Sequence, residues 1–321
     1  MMKILVKGAG VAGLALAHQL MQQGGAQITV CDVRPQIGGG ASWFAGGMLA
    51  PFCERQSAPE LVFELGCQAA DWWAAAVPDS VLRHGTLVLT MARDSGELKR
   101  VATKTIGYEW LDSAGVEALE PDLGSRFKRG LYYDGEAHLD PRRTLTVLCE
   151  KLLANGVTFQ FNTDGDGLPG FDYVCDCSGS KAVQSGLRGV RGEMLILHAP
   201  DVTLSRPVRL LHPRIPLYIV PREDHHFMIG ATMIESNHDG PVTARSLMEL
   251  LNAAYSVHPG FGEAAVIETG VGIRPAYVDN LPRVHQNGSN ISINGFYRHG
   301  FLLAPALAAQ ASDLIFKKGR R

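Results

Sequence analysis

The period of the apolar positions changes several times along the chain. Residues 3–7 form a short apolar run, residues 11–23 carry Leu14, Leu16, Ala17, Leu20 and Met21 at helical spacing, and residues 27–32, QITVCD, return to a strand pattern. Strand, helix and strand are predicted in that order. Residues 59–76, rich in Ala, Leu and aromatic residues, predict a helix in which Trp72 and Trp73 are core; TLVLT, residues 86–90, follows as a strand. A polar, helix-favouring stretch runs on to Ser125. After it, GLYYDGEAHLDPRRTLTVLCEKLLANGVTFQF predicts strand, loop, helix and strand, with Asp140 as cap, Pro141 in the first turn and Asn155-Gly156 at the helix end.

Residues 191–238 read differently. GEMLILHA, VRLLH, LYIVPR and FMIGATM are strand candidates separated by turns, an antiparallel pattern. Residues 243–257 predict a helix, and AAVIETGVGIRP and NISINGF predict strands before a final helix. The expected class is α/β with an α+β second domain. Residues 1–85, 130–190 and 265–321 would form a discontinuous Rossmann-type nucleotide domain, and 86–129 and 191–264 an inserted antiparallel-sheet substrate domain.

Composition narrows the function. The 321 residues are 46% hydrophobic and 19% charged with a net charge of -2, which argues against nucleic acid as partner. The six cysteines lack the paired short spacings of a zinc site or a disulfide scaffold, so buried free thiols and no metal are expected. The apolar start is broken by glycines and lacks a convincing cleavage site, and no apolar stretch is long enough to span a bilayer. The terminal KKGRR is too short to argue for a membrane surface, and a cytoplasmic protein is expected.

Between the first strand and helix lies Gly8-Ala9-Gly10-Val11-Ala12-Gly13, a G-x-G-x-x-G pattern. Its glycines allow a tight turn, close approach to a pyrophosphate and close packing of helix on strand, with the phosphates at a helix N-terminus. Asp32 ends the next strand at the spacing of a ribose-binding acid, which favours NAD or FAD over NADP. The alternative is a turn that merely packs helix on sheet. Residues 35–51 hold five glycines, two prolines, Ser42 and Trp43 without a clear period, a loop that could approach a flat ligand. FDYVCDCSGS predicts a strand running into a small-residue turn at Ser178 and Gly179.

Three residues of the second half are candidates for the substrate side. In the hairpin LYIVPREDHHFMIGATM, pairing Glu223 with His226 sets Tyr218 opposite Ala231 and Met233 opposite Pro216, on one face; both could equally be core. His225 and His226 read as turn residues. Arg274 lies in an apolar run before Pro275, and a guanidinium there needs an anion: either a substrate carboxylate or a structural partner such as Asp279.

Together the fingerprint, GGGASWFAGGMLAP, YIVPR, IGATM, GIRPAYVDNLPRV and GFYRHGFLLAP resemble the FAD-dependent D-amino-acid oxidase family, and within it the glycine oxidases of the thiamine pathway. The likeness runs from end to end, although the connection within FQFNTDGDGLPGFDYVCDCSG is shorter than the family's. It implies FAD as cofactor, a small amino acid and O2 as substrates, and association with further copies of the chain. The implied FAD contacts are Gly8, Gly10, Val11, Ala12, Gly13, Asp32, Val33 and Arg34, then Ser42, Ala45, Gly46, Gly47 and Met48, then Ser178 and Gly179. Arg274, Arg298, His299, Gly300, Phe301 and Leu302 complete them. The implied catalytic residues are Arg274 on the substrate carboxylate, Tyr218 and Met233 beside it, and Arg298 supplying positive charge or hydrogen bonds. Hydride passes from the α-carbon to the flavin without a side-chain base, and O2 then gives hydrogen peroxide. Competing expectations are oxidation of sarcosine or another D-amino acid, transfer to another electron acceptor, or a regulatory protein that holds FAD without turnover.

Overall fold

The computed structural model describes all residues except 125, 183, 213–215 and 319–321, and the side chains of 317 and 318. Ser125 and the KKGRR end, apart from the backbone of its two lysines, lie outside the described residues.

β1 (Met2–Lys7), α1 (Val11–Gln23) and β2 (Ala26–Asp32) form a parallel strand-helix-strand unit in which Ile4 pairs with Ile28 and Val6 with Val30. They sit in a six-stranded sheet ordered Arg283–Asn287, Asn290–Asn294, Tyr173–Asp176, β1, β2, Thr158–Phe161, parallel except for its first pair. α1 is buried on nearly every side because it lies between this sheet and the C-terminal helix Gly300–Lys318. Trp73, fully buried, donates its Nε1–H to the Phe301 carbonyl at 2.8 Å and ties the start of that helix to the core.

Among the described residues the second sheet has nine strands, one of them the short Ile234–Glu235, paired with Arg188–His198. Arg188–His198 is its long central strand, paired with Ala265–Ala276 on one side and with His226–Gly230 on the other. Leu217–Pro221, Val208–Leu211, Thr86–Thr90, Arg129–Tyr133 and Glu109–Asp112 follow in that order. Residues 130–133, 188–190 and 265–276, assigned from sequence to the nucleotide domain, therefore hydrogen-bond within the second sheet. Their partners are distant in sequence, so local pattern did not reveal them.

Other differences are local. The helix expected over 59–76 is two, Glu60–Gly66 and Ala69–Ala76; at the break Gly66 lies against Leu302, which a Cβ would meet at 2.8 Å. The polar stretch before Ser125 contains the strand Glu109–Asp112. Asp140 caps Pro141–Ala154 as expected, accepting from the backbone N–H of Arg142 and Arg143. All six cysteines are free, but Cys67 is exposed. Among the described residues no helix is long and apolar enough to cross a membrane, and no group of ligands could hold a metal.

Candidate active site

The loops leaving β1, β2 and Tyr173–Asp176 and the N-termini of α1 and the C-terminal helix open into one cleft, which the second sheet lines on its other side. At one end is the glycine turn. Gly8 has φ +102°, and a Cβ there would lie 2.6 Å from the Cys177 carbonyl oxygen; a Cβ on Gly13 would lie 1.8 Å from the Gly8 carbonyl oxygen. Only glycine permits that approach of helix, strand and neighbouring turn. α1 has no acidic residue in its first turn and no side-chain cap on Gly10; instead the Ser42 Oγ accepts from the Val11 N–H at 3.1 Å. A hydroxyl oxygen thus stands where a phosphate oxygen would be received by the helix end.

Asp32 is buried at the end of β2. Its Oδ2 accepts from the Ala9 N–H at 2.8 Å and its Oδ1 from the Arg34 N–H at 2.9 Å, which fixes the acid beside the glycine turn. These glycines, the open helix end and the placed acid fit an FAD with its pyrophosphate on α1 and a ribose at Asp32.

On the other side the second sheet presents Tyr218 and Arg274. Tyr218 pairs with Gly230, not with Ala231 as the sequence suggested. Asp224 and His225 both have φ +53° in the turn, and Arg222 N–H donates to the His226 carbonyl while His226 N–H donates to that of Glu223. One extra residue on the first strand shifts the register by one. Met233 lies beyond the strand His226–Gly230, so strand alternation does not place it; both residues still line the cleft. Glycines hold the Tyr218 ring, since a Cβ on Gly46 or Gly230 would come within 2.9 or 2.7 Å of it.

Arg274 lies flat against Gly192, whose Cβ would strike its Nη2, and donates from Nη1 to the Thr232 carbonyl at 3.0 Å. That carbonyl is itself placed, because the Thr232 hydroxyl donates to the buried Glu193 carboxylate and accepts from the Glu193 N–H. Asp279 pairs with Arg283 instead, and among the described residues no carboxylate forms a salt bridge with Arg274. A guanidinium fork therefore faces the cleft with its charge uncompensated.

Between the two ends lies a cluster that the sequence did not announce. Glu54 Oε2 is 2.6 Å from Arg298 Nη2, and Oε1 is 3.1 Å from Arg209 Nη1. Burial alone would raise the Glu54 carboxyl, but Arg298 and Arg209 outweigh it and hold the group well below the usual carboxylate range. Arg298, expected to add positive charge, is thus paired. His299 is buried, with Nδ1 3.7 Å from Glu54 Oε2; burial drives its imidazole down to about 4, aided by Arg298, Arg209 and Arg274 and opposed by Glu54. It is neutral at ordinary pH, so at the start of this helix the backbone N–H groups, and not the imidazole, carry the positive end. Burial also raises the Tyr218 phenol, so it is a hydrogen-bond donor and not a phenolate.

Of the residues named from sequence, all but Gly13 and Val33 line this cleft. Gly13 packs against the Gly8 carbonyl, and Val33 is exposed. Facing the cleft, Arg34, Arg209, Arg274 and Arg298 outnumber Asp32 and Glu54, a balance suited to an anionic cofactor and a carboxylate.

A family model described as FAD dependent oxidoreductase matches residues 3–314. The chain is 56% identical over 322 residues to a protein of Rhizobium etli named as a thiamine biosynthesis oxidoreductase, ThiO, covering 99% of this chain and 98% of that one. It is 24% identical to a glycine oxidase of Pseudomonas putida over 98% of this chain and 94% of the relative. The crystal structure of glycine oxidase from Geobacillus kaustophilus superposes with a TM-score of 0.85 at 22% identity, covering 99% of this chain and 95% of that one.

Proposed function

Because the chain belongs to the DAO family of FAD-dependent oxidoreductases, we propose that it oxidatively deaminates glycine, or another amine as small, within thiamine thiazole biosynthesis. The observation that carries this reading is the unpaired Arg274 fork in the cleft shared by two helix N-termini and the glycine turn. When bound, FAD supplies the hydride acceptor.

The chain's own residues do the rest. Arg274 receives the substrate carboxylate in a bidentate bond, and Tyr218, clamped between Gly46 and Gly230, donates to it from the side. Fixing the carboxylate at two points orients the α-carbon, the entropic part of the catalysis. Glu54 is held ionised by two arginines and His299 is held neutral, so neither is a free base of suitable strength for the ammonium group. The amine must arrive neutral. The helix N-terminus at Gly300–Leu302 lines the cleft and would favour negative charge on a cofactor bound against it.

Oxidation leaves the imine, which water converts to glyoxylate and ammonia, while O2 takes the electrons and is released as hydrogen peroxide. The reading also carries a cytoplasmic location and association with further copies of the chain. The test is a panel of glycine, sarcosine and D-alanine with peroxide detection: glycine is expected to give peroxide, and a preference for a larger amine would move the substrate assignment without touching the cofactor.

A further inference from the structure

Four methionines lie near the site. Met194 and Met228 are buried strand residues of the second sheet, Met48 lines the cleft half-buried, and Met233 lines it and is 43% exposed. Its sulfur has two donors aimed at it: the Tyr297 hydroxyl at 3.4 Å and the Arg298 Nη1 at 3.8 Å. A thioether is a weak acceptor, so this pair of donors is poorly used by the reduced side chain. A sulfoxide oxygen on the same atom would be a far stronger acceptor for both.

We propose that Met233 is a self-oxidation site, converted to methionine sulfoxide by the hydrogen peroxide that leaves the cleft during turnover; this inference rests on the oxidase reading above. The step balances without another reagent. The sulfur lone pair attacks one peroxide oxygen, an S–O bond forms as the O–O bond breaks, and the proton of the transferred oxygen passes to the departing one to give water. Sulfur is oxidised by two electrons and peroxide is reduced. Tyr297 and Arg298 then hold the new oxygen, which places a polar group at the mouth of the cleft and draws on Arg298, the partner of Glu54.

The competing targets in the cleft are weaker. Met48 lines it but is half-buried, and the sulfur that Tyr297 and Arg298 address is that of Met233. Cys177 lines it too, but burial pushes its thiol well above the ordinary value, and peroxide reacts with the thiolate. Methionine needs no deprotonation. Met248, on the helix Ala244–Val257, does not line the cleft and is 60% exposed, more than Met233. It is therefore an internal gauge of peroxide arriving from bulk solvent.

The experiment compares two arms by peptide mass: FAD-loaded protein turning over glycine in air with catalase in solution, and the same protein given hydrogen peroxide without glycine. The Met233-to-Met248 sulfoxide ratio is expected to be about tenfold higher under turnover, and methionine sulfoxide reductases are expected to restore lost activity. Met233→Leu, each sample normalised to its own initial rate, should lose activity several-fold more slowly. Equal ratios in the two arms, or unmodified Met233 after glycine turnover measured as glyoxylate release, would overturn the inference alone. Absence of peroxide from glycine would overturn the oxidase reading and this inference with it.

Discussion

Glu54 and Arg298, 244 positions apart in sequence, lie 2.6 Å apart in the cleft, and the second oxygen of Glu54 binds Arg209. One carboxylate thus compensates two guanidiniums that are largely shut off from water. Glu54→Gln keeps the shape and removes the charge. Breaking a buried pair costs about 3–5 kcal/mol, so denaturant unfolding should show a loss of that order. A loss below about 1 kcal/mol would mean the cluster is solvated and not structural.

Arg274 separates substrate binding from cofactor binding. Arg274→Ala should lower kcat/KM for glycine by on the order of a hundredfold or more, as expected when about 2–5 kcal/mol of charge-paired binding is lost. Flavin content should not change. Arg274→Lys keeps the charge without the fork, so steady-state rates should recover only in part. Full recovery by lysine would show that Arg274 holds the carboxylate by charge alone and not as a bidentate clamp.

Two glycines of different surroundings test the nucleotide turn. Gly13→Ala drives a Cβ to 1.8 Å from the Gly8 carbonyl oxygen, and because backbone must move the cost should be about 3 kcal/mol, with loss of retained FAD on gel filtration. Gly96→Ala meets nothing within 4 Å and should be neutral or stabilising by about 0.4–1 kcal/mol. Flavin retention by Gly13→Ala would show that the turn has slack.

Two buried groups give opposite pH slopes. Burial pushes the Glu136 carboxyl up to about 7 from 4.5, so its contribution to stability is full below pH 4.5 and is lost as pH rises towards about 7, by up to ~1.4 kcal/mol per pH unit. His299, lowered to about 4 from 6.5, does the reverse: its contribution is present above 6.5 and is lost as pH falls towards about 4. In Glu136→Gln the first slope disappears, and urea midpoints should rise more steeply with pH between 4.5 and 6.5 than in the parent protein. Parallel curves would place Glu136 at its ordinary value.

The sequence made the nucleotide end legible because each feature there is local: the glycine turn between a strand and a helix, Asp32 at the end of the next strand, and Asp140 capping a helix. It also singled out Arg274, since a charge in an apolar run demands a partner. Arg209 stands in the equally apolar VRLL and called for the same argument, but its anion lies in a short helical turn, PFCE, that looks unremarkable alone. The pairing of Ala265–Ala276 with Arg188–His198 was hidden for a similar reason. The hairpin register failed by one residue because a bulge beside two residues of positive φ leaves no mark in an apolar-polar pattern.

Delivery of glycine from this cleft to a bound flavin can be watched by mixing FAD-loaded protein with glycine in the absence of O2 and following the visible absorbance of the oxidised flavin. The absorbance is expected to bleach with glycine, to return on admitting air, and to persist in Arg274→Ala at the same glycine concentration. A flavin that stays bound and oxidised in the parent protein with glycine, sarcosine and D-alanine alike would contradict it.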